Sequence, residues 1–216
     1  RHKIASYEIS HSRLIEGVAK SGKPLILSTG ASDWADIDWA VSQFRKHGGR
    51  QLTLMQCTAK YPASLEHLHL NTIPTLMARY KVPVGFSDHS REPIVAPIAA
   101  VALGAKLIEK HFTMDNRLPG PDHAFAITPV ELKQMVQAIR DTEKTLGVSD
   151  KRVMPEENEL RSYARRALQA IRSIAKGETF IEGLNYAILR PGNQPQGASN
   201  RFDSAKPEKW DGKILV

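Results

Sequence analysis

The chain has 216 residues, 41% of them hydrophobic and 25% charged, and a formal net charge of +7. That is ordinary globular composition, and with no Arg-rich leader, no apolar signal core and no run of about 18 apolar residues, nothing directs the chain out of the cytoplasm or into a membrane. The lone Cys57 excludes an intramolecular disulfide and reads as a small buried core residue. The basic residues are spread along the chain without a nucleic-acid motif, so an anionic small substrate is expected and a nucleic acid is not.

Five short apolar runs recur, at Lys3–Ser6, Pro24–Thr29, Gln51–Gln56, Val82–Ser87 and Lys106–Lys110. Each reads as a buried parallel strand, and helical patterns lie between them. Ser12 can cap a helix carrying Leu14, Ile15 and Val18 that stops near Gly22. Ser32 precedes Asp33 and Asp36 and a stripe of Ile37, Ala40, Val41 and Phe44. Asn71 is expected to cap a third helix that tolerates Pro74 in its first turn, and Pro93 opens a fourth that uses Ile94, Ile98 and Val101 and stops at Gly104. Thr128-Pro-Val-Glu131 is a capping box, starting a helix with Leu132, Met135, Val136 and Ile139 that ends near Gly147.

Strand–helix alternation implies a parallel sheet with helices packed over it. An open doubly wound sheet accepts five strands, but no Gly-x-Gly-x-x-Gly turn supports a dinucleotide fold. A (β/α)8 barrel needs eight strands and about 250 residues. Because Arg1 lies almost on top of a strand and no Met precedes it, three further βα units are expected N-terminal to this sequence.

Two of the runs end in histidine: Val82-Pro-Val-Gly-Phe-Ser-Asp-His89 and Lys106-Leu-Ile-Glu-Lys-His111. Each imidazole would sit at a strand's C-terminal end, the rim where α/β barrels place their chemistry. Pro119-Gly-Pro-Asp122 follows His111 in a short loop. Two imidazoles and a carboxylate converging on one face suggest a divalent-metal site. By alternation Glu109 is expected to point away from His111's neighbours and to form at most a salt bridge. Lys110 also alternates away from His111.

After residue 147 the character changes. Domain boundaries are expected at 1–147 for the barrel part, 148–164 for a linker and 165–216 for a small domain. Ser149–Glu159 is charged and shows no periodic apolar face. Arg165–Gly177 has a strand-and-turn pattern, Tyr186–Leu189 reads as a strand before Arg190-Pro-Gly192, and Asn193 to Pro207 reads as loop.

Taken in order, Lys3-Ile-Ala-Ser6, Lys23-Pro-Leu-Ile-Leu-Ser-Thr-Gly30, Gln56-Cys-Thr-Ala-Lys-Tyr-Pro62, Gly85-Phe-Ser-Asp-His89, Gly104 through Thr113, Leu118-Pro-Gly-Pro-Asp-His123 and Arg190-Pro-Gly192 resemble the sialic acid (N-acetylneuraminate) synthase family, which includes legionaminic and pseudaminic acid synthases. The resemblance implies the C-terminal part of a (β/α)8 TIM barrel, about five βα units, followed by a small antifreeze-like (SAF) domain incomplete at its end. It implies condensation of phosphoenolpyruvate with N-acetylmannosamine or a related amino sugar, giving a nine-carbon 2-keto acid and phosphate. It further implies His89 and His111 as metal ligands and, with Asp122, as catalytic residues. The metal would be Mn2+, with Co2+, Zn2+ or Mg2+ as alternatives. Lys3, Ser6, Ser28 and Ser87 would contact phosphoenolpyruvate, Tyr61 would line the sugar pocket, and Arg190 would reach the sugar's N-acetyl region from the partner of a homodimer. The chain departs from the family pattern at Ala59, where Asn or Ser is usual, and at Gln56, where His is usual. With the early strands lacking, the isolated 216 residues are expected to show little catalysis and to aggregate. A metal-dependent barrel aldolase or hydrolase, with Lys110 as a Schiff-base candidate, and a non-catalytic carbohydrate-binding paralogue are the competing readings.

Overall fold

The structure, a computed structural model, describes residues 1–193 and residue 211. Past its first residue, the expected loop up to Pro207 lies outside the described residues. The chain divides into two compact units, Arg1–Val148 and Ser149–Val216. No helix among the described residues is long and apolar enough to cross a membrane.

In the first unit five strands, β1 (His2–Ile4), β2 (Leu25–Ser28), β3 (Leu52–Cys57), β4 (Val84–Asp88) and β5 (Ile108–Lys110), form one parallel sheet in chain order. β2 and β4 begin just after Pro24 and Pro83, which have no N–H to give the ladder, so both strands start later than the apolar runs. The connecting helices are α1 (Ser12–Lys20), α2 (Trp34–Lys46), α3 (Thr72–Tyr80) and α4 (Val95–Ala102), and α5 (Pro129–Leu146) follows β5. The boundaries follow local hydrogen bonding. Asp33 and Asp36 form a capping box at α2, Thr128 and Glu131 form another at α5, and Gly147 ends α5. At three starts the expected residue is not the one that caps. His11 Nδ1, not Ser12, accepts from Leu14 N at α1. Asn71 precedes α3 without a side-chain cap bond. Glu92 Oε1 accepts from the N–H groups of Ile94 and Val95 at α4, which starts two residues past Pro93.

The core is the layer between sheet and helices. Ile4, Leu27, Leu54, Val84 and Phe86 from the strands meet Ile15, Phe44, Ile73, Leu76 and Ala100 from the helices, all at most 2% exposed. Alternation puts the other set, Lys3, Ser28, Met55, Cys57, Gly85, Ser87 and Glu109, on the opposite face. That face is concave. β1 and β5 are the outer strands, about 19 Å apart if four spacings of about 4.8 Å lay flat, yet Lys3 Nζ and Glu109 Oε1 stand 3.2 Å apart. The sheet therefore curls like half of a barrel.

In the second unit α6 (Asn158–Ala164) precedes an antiparallel pair, β6 (Ala167–Ala170) and β7 (Tyr186–Leu189). Asn185, fully buried, accepts from Ile181 N and donates to Thr179 O, closing the turn before β7. The expected linker 148–164 is not uniformly extended. Pro155 opens a helical turn in which Glu157 accepts from Met154 N at 2.7 Å, and α6 follows with none of its residues buried. With no buried face, this helix has no apolar stripe to announce it.

Glu178 in this unit is paired with Arg172 and also accepts from Ala175 N and Asn185, which together hold its carboxyl at about 2. A folded-state value below the unfolded one adds stability above the unfolded pKa and loses it as pH falls through the folded value. Acid titration of the second unit by circular dichroism is expected to show loss of stability between about pH 4.5 and 2, and Glu178→Gln is expected to flatten that limb.

Candidate active site

The concave face carries polar groups at its C-terminal rim. Ser87 Oγ donates to Glu109 Oε1 at 2.8 Å, and the same oxygen meets Lys3. Ser6 Oγ accepts from Gly30 N at 3.0 Å and donates to Cys57 Sγ at 3.4 Å. A Cβ on Gly30 would stand 2.8 Å from both Cys57 Sγ and Ser6 Oγ, so only glycine lets these loops close. Ser28 Oγ is buried and has no hydrogen-bond partner among the described residues. A buried hydroxyl costs free energy unless something bonds it, so Ser28 is suited to a polar group of a bound molecule.

His89 and His111 follow the last residues of β4 and β5, their ring centroids 5.3 Å apart. His89 is 7% exposed, and its Nδ1 lies 2.8 Å from the carbonyl oxygen of Thr58 and 3.8 Å from Cys57 Sγ. Burial disfavours the charged form of His89, but Cys57 and the Thr58 carbonyl outweigh it and raise its pKa. Burial also disfavours the Cys57 thiolate, and the bonds from His89 and Ser6 outweigh it in turn and lower the thiol's pKa. The shorter contact decides the tautomer: Nδ1 donates to Thr58 O, which leaves the Nε2 lone pair free. Burial lowers the pKa of His111 against the opposing pull of Asp122, whose Oδ2 lies 3.5 Å from its Nδ1. Tyr61 leans over His89 at 4.2 Å between centroids, and Phe125 meets the edge of His111 at 5.0 Å.

This donor set fits a divalent ion in part. A ligand imidazole fixed through its other nitrogen to a backbone carbonyl is the usual outer-shell arrangement, and 5.3 Å lets both rings turn a nitrogen to one ion with bonds of about 2.1 Å. Among the described residues no group of three His, Cys, Asp or Glu is set to hold a metal. Two protein ligands with open positions describe what these residues offer.

Eight of the expected site residues, Lys3, Ser6, Ser28, Tyr61, Ser87, His89, His111 and Asp122, belong to the first unit. The contacts above tie all but Ser28 into two groups, Ser6, Tyr61, His89, His111 and Asp122 around Cys57 and His89, and Lys3 and Ser87 around Glu109, which adjoin where Cys57 and Ser87 pair across β3 and β4. Arg190 belongs to the second unit, exposed and just after β7. Glu109 makes the expected salt bridge, with Lys3, and only its direction corrects the sequence reading. It lies two residues before His111, and residues two apart on a strand share a face, so it faces inward beside Lys3 and Ser87. Cys57 is buried as expected, but it bonds to Ser6 and neighbours His89, so it is part of the polar cluster. Gln56 Nε2 donates to Leu68 O at 3.0 Å and fastens a loop, while Ala59 offers the site no polar side chain. Lys110 points to the helix side. Its ammonium is held there by Asp88, Ser90 and Glu92, so a Schiff base there has no access to the concave face.

The comparisons with known proteins agree with this geometry. The NeuB family model matches residues 1–151. The chain is 47% identical over 214 residues to the spore coat polysaccharide biosynthesis protein SpsE of Bacillus subtilis, covering 93% of this chain and 57% of that protein. It is 39% identical over 196 residues to an N,N'-diacetyllegionaminic acid synthase of Legionella pneumophila, covering 89% and 54%. The crystal structure of an N-acetylneuraminic acid (sialic acid) synthetase from Leptospira borgpetersenii, in complex with citrate, superposes with a TM-score of 0.69 at 38% identity, covering 74% of this chain and 56% of that one. The chain thus spans a little over half the length of these relatives. With the matched segment running through β1 to β5, both histidines and the Asp122 loop, the chain belongs to the NeuB family.

Proposed function

We propose that the protein carrying this chain condenses phosphoenolpyruvate with N-acetylmannosamine or a related amino sugar, releasing phosphate and a sialic-acid-type 2-keto acid. The observation that carries the reading is the pair of facing imidazoles, 5.3 Å apart, beside the Lys3–Ser87–Glu109 cluster on a concave sheet face. The names of the Legionella and Leptospira relatives support it. The first unit is read as part of a (β/α)8 TIM barrel and residues 165–216 as an antifreeze-like (SAF) domain, in a cytoplasmic homodimer whose small domain caps the partner barrel.

In this reaction C3 of phosphoenolpyruvate bonds to the aldehyde carbon of the open-chain sugar, water adds at C2, and phosphate leaves by cleavage of its C–O bond. A divalent metal, Mn2+ in this proposal, held by His89 and His111 would polarise the aldehyde oxygen where alkoxide charge develops. Lys3 has three donors, so it can keep Glu109 and still meet a phosphate oxygen. Ser28, with no partner among the described residues, adds a directed donor to the same anion, and Ser6 adds another by turning its one hydroxyl hydrogen away from Cys57 Sγ. Glu109 accepts from Ser87 and Lys3 and fixes where both point. Asp122 orients His111 and faces the sugar hydroxyls, and Tyr61 closes one side of the pocket and keeps water off it.

The test is phosphate release by the full-length protein that carries these residues, with phosphoenolpyruvate, Mn2+ and a panel of amino sugars. Release dependent on one sugar establishes the reaction and its substrate; no release with any sugar overturns it. Arg190→Ala is expected to raise KM for that sugar about tenfold or more, as loss of a charge-assisted hydrogen bond of about 1.5–3 kcal/mol would do. Mn2+ affinity should stay unchanged. An unaltered KM would remove Arg190 from the sugar site.

A further inference from the structure

On the helix side of the sheet, directly behind the two imidazoles, lies an ion pair that the reaction does not use. Lys110 Nζ and Asp88 Oδ2 are 2.7 Å apart, with side chains 3% and 0% exposed. The ammonium also donates to Ser90 O at 2.5 Å, Ser90 Oγ at 3.2 Å and Glu92 O at 2.9 Å, and Asp88 Oδ1 accepts from Ser90 N at 2.8 Å. Burying two charges is costly, and an apolar pair of similar size often serves stability as well, so the pair needs a reason other than stability.

Its place in the register supplies one. Asp88 and Lys110 are the last partners of the β4–β5 ladder, and His89 and His111 are the next residue on each strand. The carbonyl of His89 is bonded by Ala63 N and that of His111 by Ile127 N, so beyond the ladder each histidine is anchored to a different loop. Arg91, within the segment that Lys110 gathers, pairs with Glu131 at the start of α5 at 2.7 Å, tying that segment down a second time.

Resting on the metal reading above, we propose that Asp88 and Lys110 are positioning residues. Their ion pair closes the β4–β5 ladder on one face and thereby sets the separation of His89 and His111 on the other. Neither touches substrate or metal; they act through the peptide bond that joins each to its histidine and through the 90–92 segment.

The test is the Mn2+ dissociation constant of the full-length protein, read from the electron paramagnetic resonance of free Mn2+, with circular dichroism and thermal unfolding alongside. Asp88→Asn combined with Lys110→Met removes both charges and keeps the Ser90 bond. This double variant is expected to fold and to bind Mn2+ about 10- to 100-fold more weakly, the usual effect of losing an outer-shell partner. Parental Mn2+ affinity in the folded double variant overturns the proposal. Lys110→Arg is the second arm, because it keeps the charge but not the compact ammonium that four oxygens surround. At least threefold weaker binding is expected, and parental affinity again overturns the proposal. If the parent protein binds no Mn2+, the metal reading fails, and the clamp is read from hydrogen exchange instead. In Lys110→Arg the amides of residues 89–92 and 111 are then expected to exchange faster while those of β2 and β3 do not, and unchanged exchange overturns the clamp itself.

Discussion

His89→Ala and His111→Ala are each expected to lower sugar-dependent phosphate release by about a thousandfold or more, because the polarising ion is worth several kcal/mol and each 1.36 kcal/mol is tenfold in rate. The two variants should differ in stability in a way that identifies each ring's second role. His89 is buried and bonds to Thr58 O, which Lys60 N also reaches at 2.9 Å, so its removal costs one of two bonds to that carbonyl, about 0.5–1.5 kcal/mol, and leaves a cavity besides. His111 has 29% of its side chain exposed and meets Asp122 only at 3.5 Å, so its removal should leave the unfolding midpoint close to the parent's. Phosphate release and thermal unfolding measured on both proteins check this. Release within tenfold of the parent in either variant would detach that histidine from the chemistry.

What the sequence made legible was what local rules control. Five apolar runs became five strands, the two capping boxes stand where their residues placed them, and the C-terminal β-strand runs Tyr186–Leu189 as read. Two strand-end histidines were visible because strand ends are visible. What escaped depended on pairs from distant strands. Lys3 and Glu109 are more than a hundred residues apart and meet only because the sheet curls, so no local pattern marked them. Glu109 did carry a usable signal, its i, i+2 relation to His111, which puts the two side chains on one face of the strand. The helix Asn158–Ala164 was missed for a different reason, because it has no buried face and so shows no apolar periodicity.

Gly85→Ala and Gly17→Ala make the same chemical change and are expected to act in opposite directions. Gly85 lies in the middle of β4, opposite Met55 of β3. A Cβ there would stand 2.5 Å from Met55 Sδ, 2.6 Å from the carbonyl oxygen of Leu107 and 2.8 Å from Leu107 Cβ. The Met55 thioether can swing away, but the Leu107 carbonyl cannot, because it accepts the ladder bond from Phe86 N at 2.8 Å. The added methyl must therefore push β4 and β5 apart, at about 3 kcal/mol or more. It does so at the ladder that carries Ser87, His89, Glu109 and His111. Gly17 lies inside α1, with an ordinary helical backbone and nothing within 4 Å of the added methyl. There alanine only restricts the unfolded chain and favours the helix, raising stability by about 0.5–1 kcal/mol. Denaturant unfolding of both variants checks the pair of signs. A Gly85→Ala protein as stable as its parent would mean that β4 and β5 can separate freely, and the spacing of the two imidazoles could then not be fixed by the sheet.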